Sequence, residues 1–129
     1  FENFRVSPSA KNAMLEARSV LLENYGDEKS WALQPVYFGP RIEFAYAAFG
    51  IVSPVNLPIW WHPNNSYPPE REAEYARTFI DYGFENAIFM KKQGENEPDY
   101  GFLPESVISE LETNYNRTDY SSIVVFHIK

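Results

Sequence analysis

The chain has 129 residues, a formal net charge of -7 and no cysteine. This excludes disulfides, thiolate catalysis and Cys-ligated zinc, and it argues against nucleic acid, whose phosphates are held by clustered Lys and Arg. The length fits one domain with a sizeable core, and Trp 3, Tyr 9 and Phe 10 make rings its main material.

No run approaches the roughly 20 apolar residues of a membrane span. The opening Phe1-Glu2-Asn3-Phe4-Arg5 lacks the basic and apolar blocks of a signal peptide, and the start at Phe1 suggests a single α/β domain excised from a longer chain.

Ser7-Pro8 reads as an N-cap and first helical position, and Ala10, Ala13, Met14, Ala17, Val20, Leu21 and Tyr25 recur at three- and four-residue steps. With Gly26 as a stop, this predicts a helix over 8–25 lying on a sheet by one apolar stripe. Trp31 to Phe38 is expected as a strand, although Pro35 has no N–H for a ladder. Arg41 to Phe49 suits a short buried helix begun at Pro40 and stopped at Gly50, with a strand as the rival. Asn56 to Trp61 reads as extended, and His62 to Tyr67 as a loop.

Pro68-Pro69-Glu70 opens a helix over 69–82 whose acidic first turn, Glu70, Glu72 and Glu74, complements the helix dipole. Ala87-Ile88-Phe89-Met90 is apolar throughout, as a strand covered on both faces is. Lys91 to Gly101 is a long polar insertion, expected to be mobile. A helix over 104–114, a turn over Asn114 to Asp119 and a β-branched strand from Ser122 to Ile128 follow. The alternation predicts a Rossmann-like, three-layer α/β/α domain with a mainly parallel central sheet of four or five strands. The short turn before the last strand leaves an antiparallel placement open for it.

Parallel strands gather their carboxyl ends at one edge, where open α/β sheets bind ligands. Two loops leave that edge. Tyr37-Phe38-Gly39-Pro40-Arg41 enters a helix whose free N–H groups, with Arg41, suit an anion. Trp60-Trp61-His62-Pro63-Asn64-Asn65 offers the ring faces and amides that grip a carbohydrate or another polar small molecule. The candidate ligand-binding residues are therefore Tyr37, Arg41, Trp60, Trp61, His62 and Asn64. The plainer account makes one of the two tryptophans core, since neighbours on a strand face opposite ways, and pairs Arg41 with an acid.

Other chemistries find little footing. Gly39 is followed by proline, not by the G-x-G-x-x-G of a dinucleotide loop. Glu95, Glu97 and Asp99 alternate without EF-hand spacing, and His62 and His127 lie far apart, so neither a metal nor a catalytic residue is assigned and no cofactor is expected. Asn64-Asn65-Ser66 and Asn116-Arg117-Thr118 match the N-glycosylation pattern, which here marks both segments as surface loops.

From Glu70 to Lys129 one order of features stands out. A helix ending Phe79-Ile80-Asp81-Tyr82-Gly83 leads to the strand Ala87-Ile88-Phe89-Met90. Leu103-Pro104-Glu105-Ser106-Val107-Ile108-Ser109-Glu110-Leu111-Glu112-Thr113-Asn114-Tyr115 comes next, then the strand Ser122 to Lys129. This half resembles the soluble carboxy-terminal domain that follows the membrane spans of polyprenyl-phosphate-sugar glycosyltransferases, the class that includes protein mannosyltransferase relatives.

The resemblance implies a non-catalytic accessory domain outside the cytoplasmic membrane. It would bind or position the acceptor, with the membrane-embedded part of the same protein as partner and the catalytic carboxylate in a membrane loop absent here. Read without the resemblance, the chain is a free-standing small α/β transferase binding a nucleotide or adenosylmethionine-like ligand at the edge loops.

Overall fold

Helix α1 (Pro8–Tyr25) turns Ala10, Ala13, Met14, Ala17, Val20 and Leu21 inward. The three alanines bring its axis close to the sheet, and Gly26, at φ 88, ends it in a left-handed conformation that glycine adopts without strain. The computed structural model describes residues 8–26, 28–31, 34–54, 57, 68–92 and 94–129. The extended run expected over 56–61 and the loop over 62–67 lie outside the described residues, except for Leu57.

Trp31 ends the short helix α2 (Glu28–Trp31) instead of opening a strand, and the strand proper is β1 (Val36–Phe38). The Trp31 indole N–H donates to the Phe49 carbonyl at 2.8 Å and its ring meets Phe49 edge-on, which anchors α2 to helix α3 (Ala45–Phe49). The expected helix start at Pro40 fails for a backbone reason. Arg41 sits at φ 73, outside the right-handed helical region, so the helix begins only at Ala45.

A single 3-10 turn (Pro69–Arg71) leads into α4 (Glu72–Tyr82), stopped by Gly83 at φ 70. Strand β2 (Asn86–Met90) is buried at every position. The 91–101 insertion folds back on itself, with the Lys92 amide donating to the Glu97 carbonyl at 2.8 Å and the Asp99 amide to the Met90 carbonyl at 2.7 Å. Helix α5 (Glu105–Asn114) runs straight into strand β3 (Tyr115–Asp119), where a turn was expected, and β4 (Ile123–Ile128) closes the fold.

Among the described residues the sheet has four strands in the order β1-β2-β4-β3. Only β1 and β2 pair in parallel, while β2 with β4 and β3 with β4 are antiparallel. The mainly parallel, Rossmann-like sheet expected from the alternation is therefore incorrect. The reason is the link between β3 and β4: Tyr120-Ser121-Ser122, closed by the Tyr120 amide on the Ile123 carbonyl at 2.9 Å, makes a hairpin. A parallel return needs a crossover of a dozen residues or more. β4 thus folds back into the gap between β2 and β3.

Side chains alternate across this sheet and serve two cores. On the first face Val36, Phe38, Ile88, Met90, Ile123 and Val125 meet α1, Trp31 and α3. On the second, Tyr37, Ala87, Phe89, Val124 and Phe126 meet Ala76 and Phe79 of α4 and Val107 and Leu111 of α5. Rings dominate the second core. Tyr37 lies edge-on to Phe79 with centroids 4.9 Å apart, and Phe89 stands edge-on to Phe126 at 5.8 Å. Such pairs add about 0.5–1.5 kcal/mol each beyond burial.

Candidate functional site

At the rim where β1 and β2 end, their connections leave for opposite faces, β1 toward α3 and β2 toward α5. This is where a crevice is expected in an open α/β sheet. The segment Asp99-Tyr100-Gly101 fills it. A Cβ on Gly101 would meet Pro40 Cγ at 2.7 Å, and Arg41 Nη1 lies 3.5 Å from Asp99 Oδ2. Arg41 therefore pairs with an acid, as the plainer account has it. Tyr37 is buried among Phe79, Phe84 and Phe89 in the second core, away from any rim ligand. Trp60, Trp61, His62 and Asn64 lie outside the described residues.

A polar constellation that sequence reasoning missed sits at the other end of the sheet. Asn86, His127 and Asn116 stand in one row across β2, β4 and β3, each directly opposite the next. Among the described residues Asn86 is the one buried polar side chain, 1% exposed, and a buried amide must find partners. It finds two: its Nδ2 donates to the Tyr25 hydroxyl at 2.8 Å, and its Oδ1 lies 2.9 Å from His127 Nδ1. The Tyr25 hydroxyl in turn donates to Glu85 Oε1 at 3.0 Å.

The direction of this chain is set by its end. A carboxylate only accepts, so Tyr25 donates to Glu85, leaving the phenol oxygen to accept from the Asn86 amide nitrogen. Asn86 Oδ1 is then the acceptor facing His127, whose Nδ1 must carry the proton. Neutral His127 keeps Nε2 as a bare acceptor, and among the described residues that nitrogen has no hydrogen-bond partner. Burial, partly offset by Asn86 and reinforced by Glu85, pushes the Tyr25 hydroxyl up to about 12, so it stays protonated as the relay requires.

His127 opens onto a groove of about 430 Å³ between the end of α1 and the β3–β4 hairpin, lined also by Glu23, Asn24, Asn116, Thr118 and Tyr120. Asn24 Nδ2 donates to the Val20 carbonyl at 2.8 Å, which leaves its oxygen as the free end. Burial, then the carboxylates of Glu23 and Glu16, raise the Tyr120 hydroxyl. The sequence signal that was available is the pair of polar residues, Asn86 and His127, at the ends of two otherwise apolar strands.

Among the described residues no group of three or more His, Asp or Glu is placed to hold a metal ion, and no helix is long and apolar enough to cross a membrane. No protein-family model, curated protein or solved structure compared with the chain matches it.

Proposed function

We propose that the chain is a non-catalytic accessory domain of a membrane glycosyltransferase-like protein, positioning the acceptor for a reaction carried out in the membrane-embedded part. The reading comes from the resemblance of residues 70–129, and one observation supports it. In that stretch α4, β2, α5 and β4 follow one another in the order on which the resemblance rests, with β3 added between α5 and β4. All the buried residues of the second core except Tyr37 come from it. The other face of the same strands, Ile88, Met90, Ile123 and Val125, is covered by α1, Trp31 and α3, so the segment works as part of the whole 129-residue domain. On this reading the groove beside His127 is where the acceptor docks.

The test is sugar transfer from a polyprenyl-phosphate donor by the intact protein in membranes, with and without Phe89→Asp, which unfolds this domain from its core. The reading expects a raised KM for the acceptor, with donor binding retained. An unchanged KM, or sugar transfer by the purified 129-residue chain alone, overturns it.

A further inference from the structure

We propose that the groove between α1 and the β3–β4 hairpin binds a neutral, hydroxyl-rich ligand, a carbohydrate, through a hydroxyl that donates to Nε2 of His127. The inference names the acceptor class for the reading above and rests on that reading for its biological setting only. The binding itself stands on the groove.

Three of the residues lining it carry acceptors: His127 at Nε2, Asn24 at its amide oxygen and Glu23 at its carboxylate. A carboxylate ligand brings only acceptors, and a phosphate, short of donors and anionic, would sit beside the Glu23 carboxylate; neither matches these three acceptors. Among the described residues no Lys or Arg lines the groove to compensate. An ammonium ligand brings only donors and so has nothing to accept from the Asn116 amide N–H groups at the groove's edge. A sugar hydroxyl both donates and accepts, so a ring carrying several of them matches the whole set, and the half-buried Tyr120 adds an aromatic side chain to the lining.

The relay gives the site its order. Because Nδ1 is committed to Asn86, and Asn86 to Tyr25 and Glu85, the imidazole is held in one tautomer and one orientation before any ligand arrives. Pre-set geometry of this kind spares the ligand the cost of ordering the side chain.

The experiment titrates the ¹⁵N-labelled 129-residue chain with the methyl glycosides of glucose, mannose and N-acetylglucosamine. Inorganic phosphate and ethylammonium at the same concentrations are the comparison probes. At least one glycoside is expected to shift Asn24, Asn116, Thr118 and Tyr120 saturably. His127→Phe, on an exposed side chain, should then weaken that binding about tenfold, and Thr118→Val severalfold.

The proposal falls if no glycoside moves these resonances, if phosphate or ethylammonium moves them more, or if His127→Phe binds like the parent. Glycoside binding alongside an unchanged KM in the transfer assay would overturn the accessory reading and keep this site. A raised KM with no glycoside binding would do the reverse.

Discussion

Nδ1 of His127 lies 2.9 Å from Oδ1 of Asn86, the residue directly opposite it on the neighbouring strand. The two do different work. Asn86 is sealed in the sheet and holds the chain Tyr25–Glu85 on one side and His127 on the other, whereas His127 reaches the groove. Asn86→Ala therefore leaves partners unmatched and a small void, and is expected to cost about 1–3 kcal/mol. His127→Phe should cost under about 1 kcal/mol. Urea unfolding of both variants checks the contrast, and equal losses would contradict it.

Gly39 is required by contact, not by conformation. A Cβ there would run into Cδ1 of Phe89 and stand 2.8 Å from its Cε1. That ring is wedged among Tyr37, Tyr100 and Phe126 and has nowhere to go. Gly39→Ala is expected to destabilise by about 2–3 kcal/mol, and adding Phe89→Leu should recover part of it. Additive losses in the double variant would sink the explanation.

Arg41 is the one non-glycine residue at positive φ among the described residues. Its pair with Asp99 is half exposed, at 49% for the arginine side chain, and such pairs contribute little. Relief of the left-handed backbone should make Arg41→Gly about 1 kcal/mol more stable than Arg41→Ala. Equal stability by thermal melting would show that the loop relaxes the strain without glycine.

The legible parts of the fold were those with strong local signals. The stripe of α1 with its Gly26 stop, the acidic start of α4 and the apolar run Ala87 to Met90 of β2 are set by residues within each element. What failed depended on partners. β3, Tyr115-Asn116-Arg117-Thr118-Asp119, is polar because it is an edge strand exposed at four of its five positions. With only Tyr115 apolar to mark it, β3 reads as a turn, and the shortness of the link before β4 is the one sequence hint that β4 runs antiparallel. The same holds for the site. Asn86 and His127 lie 41 positions apart, and only the register of β2 against β4 brings them together.

Alkaline pH should erode stability through the tyrosines. Burial pushes the Tyr25 and Tyr100 hydroxyls up to about 12 and raises Tyr46 well above its ordinary value. For a group raised in the folded state, the contribution is complete below its unfolded value near 10 and is lost as pH rises through the folded value. Unfolding free energy should hold up to about pH 10 and fall between about 10 and 12. Tyrosinate absorbance should show a fraction that ionises only as the chain unfolds. Titration of every tyrosine near its ordinary value, in chain still folded, would contradict this.

The most direct measurement is the ¹⁵N spectrum of the His127 imidazole at a pH where the ring is neutral. A relay fixed by Glu85 places the proton on Nδ1, the tautomer free histidine disfavours, and leaves Nε2 with the resonance of a bare nitrogen; Asn86→Ala should abolish the preference. A proton found on Nε2 in the parent chain would mean that His127 offers the groove a donor, and the account of the site would be wrong.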